Sequence, residues 1–282
     1  MMSKITHTKT EEAGWQIPTF DITSYRVCRH PFSLVIPVIN EGVRIRDQLL
    51  RIKAADLPVD TIIADGGSTD GSLDPAFLRE AGVTAMLQKT GPGKLSAQLR
   101  MAYAWCIRQH YQGIVTIDGN GKDGIEPVTA MVRKLEAGYD YVQGSRYLPG
   151  GGANNTPLER TIANRLIHAP LLSLAGRRWY TDTTNGFRAY STRYLLDPRV
   201  QPFRDVFDQY ELLFYLTVRA GQTGMKVGHV PVVRSYPLNM KTPTKIDSLA
   251  KKLEVLRQSI DAACGRFGPR KQIAADKEWS EK

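Results

Sequence analysis

From Phe32 to Ser145, short β-branched runs alternate with longer stretches of helical periodicity, a pattern that few folds accept. "FSLVIPVIN" (32–40), "TIIAD" (61–65), "VTAMLQK" (83–89), "GIVTID" (113–118) and "YDYVQGS" (139–145) read as strands. Between them "EGVRIRDQLLRIKAA" (41–55), "GKLSAQLRMAYAWCIRQ" (93–109) and "IEPVTAMVRKLEAG" (125–138) read as helices. In the first of these helices Val43, Ile45, Leu49, Leu50 and Ile52 share roughly one face. The alternation predicts βαβ units: an α/β fold with a mostly parallel central sheet flanked by helices, and ligands at the carboxyl ends of the strands. Chemistry is therefore expected just after Ile39, Ala64, Ile117 and Gln143.

The flanks read differently. Residues 1–30 look like an irregular N-terminal extension, 31–240 form the domain, and 241–282 comprise an amphipathic helix and a polar tail. That helix carries Ile246, Leu249, Leu253, Leu256 and Ile260 at spacings of three and four. It is expected to pack on the domain or to lie against a membrane surface. The chain has 282 residues, 42% of them hydrophobic, enough for one large α/β domain. Its longest apolar-leaning run, Leu166 to Gly176, falls well short of the roughly 20 residues of a membrane span. The N-terminus has charges and no apolar core, so no secretory signal is expected. Cys28, Cys106 and Cys264 are scattered, which argues against a disulfide framework or a zinc site and for the cytoplasm.

The formal net charge is +10. Between Gln143 and Arg204 nine basic residues, all arginine, face three acidic ones. Arginine's planar fork suits bidentate phosphate recognition, so this segment points to a phosphate-bearing ligand. Nucleic acid is not the expected partner, because the aromatic residues are not interleaved with the basic ones.

The candidate chemistry falls where the pattern puts it. Asp65 ends a strand; Gly66 and Gly67 permit a tight turn; Ser68 and Thr69 are expected to cap the next helix. Asp118 can ligate a magnesium or manganese ion that bridges a nucleotide diphosphate, with Asn120 adding a carbonyl oxygen and Asp123 an alternative carboxylate. Lys122 cannot ligate a cation while protonated, but its ammonium can sit against the diphosphate and do part of the ion's electrostatic work.

Together these residues resemble a known family. "VIPVINE", "IIADGGSTDGS", "GKLSAQLRMAYAW", "TIDGNGKDGIEP", "YVQGSRYLPGG", "RTIANRL", "TDTTNGFRAYS" and "YELLFYLTVRAGQTGMKVGHVPV" follow the order and approximate spacing of family 2 inverting glycosyltransferases, closest to the dolichyl-phosphate or polyprenyl-phosphate mannosyltransferase branch. The resemblance spans about Phe32 to Ser259. It implies a GT-A (Rossmann-like) fold, a GDP- or UDP-sugar donor, a polyprenyl-phosphate acceptor at a peripheral membrane surface, and a divalent cation. By position it implies Pro37, Asn40, Glu41, Asp65, Lys94 and Asp118 at the donor nucleotide, and Asp118 with Asn120 at the metal. Arg146, Arg160 and Asn164 fall at the acceptor phosphate. Asp182, Gly186, Phe187 and Arg188 fall in a loop closing over the site, with Gln209 and Glu211 beneath it. Catalysis is expected from Asp118, Lys122, Arg188 and Asp182. The chain departs from the family at Ile39, where tyrosine is common, at Asn120, where a second aspartate is usual, and at Lys122.

Lys122 or Arg188 would stabilise the leaving diphosphate. An ionised lipid phosphate would need no general base; a sugar hydroxyl would, with Asp182, Asp123 and Glu211 as candidates. The alternatives are a transferase acting on a glycan hydroxyl and a nucleotide-sugar-binding protein that has lost turnover.

Overall fold

The computed structural model describes residues 14–236 and 248–269, with the backbone of a further strand at 5–7. In chain order it starts with β1 (Ile5–His7), β2 (Phe20–Ser24), β3 (Phe32–Val38), α1 (Val43–Ala55), β4 (Asp60–Asp65), α2 (Pro75–Glu80) and β5 (Ala85–Lys89). It continues with α3 (Leu95–Arg108), β6 (Gly113–Thr116), α4 (Pro127–Glu136), β7 (Tyr141–Ser145), β8 (Gly152–Asn154) and α5 (Leu158–Ile162). One turn of π-helix (Ala163–His168) leads into α6 (Ala169–Gly176). The last elements are β9 (Arg188–Ser191), α7 (Thr192–Leu196), α8 (Glu211–Gln222), β10 (Val227–Pro231), β11 (Val233–Ser235) and α9 (Leu249–Ala263).

The main sheet runs β1-β2-β5-β4-β3-β6-β9-β7-β10. Its centre, β5-β4-β3-β6, is parallel as the alternation predicts. The rest corrects "mostly parallel" to mixed. β9 runs antiparallel between β6 and β7, and β2 pairs antiparallel with β5. Residues expected to be an irregular extension therefore supply two strands, β1 and β2. "FDITS" is only five residues long, yet Phe20 and Ile22 alternate into the core with period two.

The same period divides the core between the two faces of the sheet. On β3, Leu34, Ile36 and Val38 join Ile45, Leu49, Val128 and Met131 on the side of α1 and α4. Val35 points to the opposite side, where Leu99, Met101, Leu212 and Leu216 of α3 and α8 pack. At roughly 1.5–3 kcal/mol per fully buried aliphatic side chain, these layers hold the strand ends in fixed relation.

Two further expectations change. The helix after "GGSTDGS" is capped by Asp74, whose Oδ1 accepts from the Phe77 N–H at 2.9 Å, not by Ser68 or Thr69. On α9, Leu253 and Ile260 of the anticipated apolar face are 56% and 41% exposed, while Gln258, Ser259 and Ala262 are buried. Polar anchoring turns the helix: Gln258 accepts from the Tyr210 N–H at 3.1 Å, and Ser259 Oγ lies 3.1 Å from His168 Nδ1. Ile246 and most of the polar tail lie outside the described residues, but Phe267 packs against α8-side core residues.

Candidate active site

A cleft of about 960 Å³ opens at the carboxyl ends of β3, β4 and β6 and is closed on its far side by α5, the π-helical turn and α9. Two buried glutamines build its floor. Gln98, in the first turn of α3, donates to Val38 O at 2.9 Å and also to Ala64 O, tying the ends of β3 and β4 together. Gln48 of α1 donates to Asp118 O at 3.0 Å and accepts from the Gly121 N–H at 3.1 Å, which fixes the loop after β6. Gly186 is needed for a related reason: a Cβ there would lie 2.5 Å from Asp118 Oδ1. The two glutamines were not singled out by sequence, since a polar residue in a helical pattern gives no sign of pointing inward.

Around Asp118 the site is a cluster of charges, and its centre is a residue that sequence reasoning missed. Arg234 of β11 contacts Asp118 Oδ2 through Nη2 at 3.0 Å and the buried Asp123 through Nη1. Lys122 is nearly buried, with its ammonium 4.8 Å from the centre of the Tyr236 ring; the Arg234 and Arg160 guanidiniums lie 5.8 and 5.9 Å from the same ring. Arg160 also donates to Tyr236 Oη at 3.3 Å. Burial, reinforced by Arg234, pulls the Lys122 pKa below the usual lysine range. Burial alone would raise that of Tyr236, but Arg234 and Arg160 draw it down. The signal for Arg234 was a lone arginine in the apolar run "VPVVRSY".

The structure brings most of the predicted residues to the cleft. Pro37, Asn40, Glu41, Lys94, Asp118, Asn120, Lys122, Arg146 and Arg160 line it. Asn40 adopts a φ of 52° and its Oδ1 accepts from the Thr69 N–H at 2.8 Å, so its side chain shapes the turn after β4. Asp65 is buried behind that turn, its Oδ1 taking both Ser68 N–H and Oγ–H. Lys94 Nζ reaches Gln209 Oε1 at 3.3 Å, and Glu41 is paired with Arg44.

Several predicted roles need correction. Arg188, at the cleft wall, is fully enclosed and donates to Asn185 O at 2.8 Å, Thr183 O at 2.6 Å, Thr217 Oγ1 at 3.0 Å and Leu213 O, so it braces the 183–187 loop. Asp182 is likewise enclosed and holds Arg146 in a fork, at 2.7 Å to Nε and 2.8 Å to Nη2. That pair offsets the burial of Arg146 and keeps it charged. Asn164 is buried too. Its Oδ1 accepts from Thr183 N at 3.1 Å and Thr184 N at 3.3 Å, and its Nδ2 donates to Thr181 O, so it staples the loop. Glu211 receives the Asp208 and Gln209 N–H groups and so fixes the turn that leads into α8. Nor does the all-arginine segment form one surface. Arg193 and Arg199 pair with Asp140 and Asp197, Arg204 stacks on Phe207 and Tyr215, and only Arg146, Arg160 and the enclosed Arg188 border the cleft. Asn185, by contrast, lines the cleft with its amide nitrogen unpartnered.

The expected magnesium or manganese ion meets an unsuitable donor set. Asp118 Oδ2 is already paired with Arg234, and the Asn120 amide nitrogen points at that same oxygen from 3.4 Å. Asn120 Oδ1 instead accepts from the Lys122 N–H at 3.2 Å. Among the described residues no three His, Cys, Asp or Glu side chains come together as a metal site. A hard divalent ion is held by oxygen ligands, and here Asp118 and Asp123 are both already engaged by Arg234 with the Lys122 ammonium close by, so the residues present fit such an ion poorly.

No model of a known protein family matches the chain. Curated relatives do. A polyprenol monophosphomannose synthase of Mycolicibacterium smegmatis is 28% identical over 204 residues, 71% of this chain and 75% of the relative. An undecaprenyl-phosphate mannosyltransferase of Micrococcus luteus is 27% identical over 203 residues, 70% of this chain and 81% of the relative. Among solved structures, glucosyl-3-phosphoglycerate synthase of Mycobacterium tuberculosis superposes with a TM-score of 0.58 at 18% identity, covering 85% of this chain and 80% of that one. Crystals of that protein contain UDP with Mn²⁺ or with Mg²⁺. The fold is therefore GT-A, and the chain is a glycosyltransferase. Within that class it is related to the polyprenyl-phosphate mannosyltransferases, as its motifs led us to expect.

Proposed function

We propose that this protein transfers a sugar, with inversion, from a nucleotide-diphosphate donor to the phosphate of a polyprenyl-phosphate lipid. The observation that carries the choice of acceptor is the state of the carboxylates. Asp182, Asp123 and Glu211, the candidates for a general base, are all buried and engaged by Arg146, by Arg234 and by two backbone N–H groups. A sugar hydroxyl would need such a base; a phosphate monoester, with its second pKa near 6, arrives ionised. Arg160, half-exposed in the cleft wall, and Arg146, held by Asp182, are suited to orient it.

The lipid's tail has a matching surface. Leu158 and Leu166, on α5 and the π-helical turn beside Arg160, are 73% and 71% exposed, and Ile162 and Ile167 of the same two segments are 46% and 44% exposed. Such a patch supports peripheral contact with a membrane surface. No helix among the described residues is long and apolar enough to cross one.

In this reading the nucleoside lies over Pro37, Asn40 and Glu41, with the diphosphate toward Lys122. An acceptor phosphate oxygen attacks the anomeric carbon from the face opposite the diphosphate. The carbon–oxygen bond to the diphosphate breaks, and its electron pair leaves on the diphosphate oxygen, where the neighbouring cations stabilise it. The relatives' names favour mannose as the sugar. Matched incubations with a polyprenyl phosphate and with the same polyprenol lacking phosphate test the acceptor. Labelled sugar should enter the lipid phase only with the phosphate, and equal labelling of the alcohol would contradict the proposal.

A further inference from the structure

The charges around Asp118 lead to a second conclusion, which rests on the function just proposed. We infer that the donor's diphosphate is neutralised by the protein's own cations, Lys122 and Arg234, and that the enzyme binds its nucleotide without a divalent metal. Three observations carry this. Arg234 already engages a carboxylate oxygen of Asp118 and is locked there by its second pair with Asp123. Lys122 projects into the cleft from the same loop as Asp118, two residues beyond Asn120, and shares the Tyr236 ring with Arg234. Asn120 turns its nitrogen, not its oxygen, toward Asp118.

The local electrostatics support the same conclusion. Asp118 and Asp123 already hold the Arg234 guanidinium, and the Lys122 ammonium shares the Tyr236 ring with it, so a divalent ion would have to settle beside two fixed cations. Because these cations sit at fixed positions in a mostly buried site, they need little reorganisation when charge develops on the leaving group. Asn185, which lines the cleft with its amide nitrogen unpartnered, adds a neutral donor.

Calorimetric titration of the full chain with GDP and with UDP, each in EDTA and in Mn²⁺, tests this. The preferred nucleotide should bind with affinities that agree within about threefold in the two buffers, well under the tenfold that ~1.4 kcal/mol represents. Lys122→Gln, which exchanges the ammonium for a neutral oxygen donor, should weaken binding in EDTA by ~10-fold or more and recover it in Mn²⁺, while Lys122→Arg should still bind in EDTA. Thermal melts of both variants separate misfolding from lost contacts. Wild-type binding that vanishes in EDTA and returns with Mn²⁺ would overturn the inference and leave the proposed function standing. Absence of binding to either nucleotide in both buffers would overturn both.

Discussion

Asp118 and Arg234 form a coupled pair, and substitutions there test chemistry more than folding. Asp118→Asn keeps the shape of the side chain and its hydrogen bonds but removes the charge that orients Arg234. Transfer is expected to fall ~10²- to 10³-fold, the range for losing one preorganised electrostatic contact, with the melting temperature little changed. Near-normal turnover would remove Asp118 from the site. Arg160→Ala makes a different prediction, because Arg160 lies in the cleft wall. The KM for the lipid phosphate should rise several-fold while the donor KM stays constant; a rise confined to the donor would exchange the two subsites.

At the scale of elements, one loop links the acceptor wall to the donor. The 181–187 segment is held by Asn164 from the π-helical turn, by Arg188 from β9 and by the Asp182–Arg146 pair. Asn164→Ala leaves the Thr183 and Thr184 N–H groups without their acceptor. It should cost about 1–3 kcal/mol by denaturant titration, with transfer reduced further than stability alone explains. An unchanged midpoint would show that the loop holds without Asn164. The alternation from Phe32 to Ser145 was legible because its strands are buried on both faces and read as continuous β-branched runs. Asp118, Lys122 and Arg146 were legible because they follow those strands. The roles of Asp182, Arg188 and Asn164 were not, because a polar residue in a motif looks the same whether it meets a ligand or a backbone carbonyl. β9 escaped notice for another reason: four residues, "RAYS", carry too little pattern to announce an antiparallel strand.

The whole molecule joins its C-terminal helix to the catalytic domain through a buried histidine. His168 is packed parallel to Phe214, with ring centres 6.0 Å apart, and meets Ser259 of α9. Burial pulls its pKa below the ordinary imidazole value near 6.5. The unfolded chain therefore takes up the proton more readily than the folded one, so stability decreases as the pH falls below the unfolded value and is restored above it. Melts at pH 7.5 and 5.5 should show a loss at acid pH that is smaller in His168→Gln; an identical pH response in the variant would assign the effect to other groups. Read along the chain, +10 and an arginine-rich segment suggested one broad phosphate-binding face. In three dimensions Arg146, Arg193 and Arg199 pair with carboxylates, and the cleft gathers Lys122, Arg146, Arg160 and Arg234 from separate stretches of the chain.

The central claim is that an ionised lipid phosphate receives the sugar. It is tested most directly by mass spectrometry of the lipid recovered after incubating the protein with a polyprenyl phosphate and a panel of GDP- and UDP-hexoses. The account predicts a lipid phosphate heavier by one hexose with one donor of the panel. Donor consumption with the lipid phosphate unchanged and the hexose on a hydroxyl acceptor would contradict it.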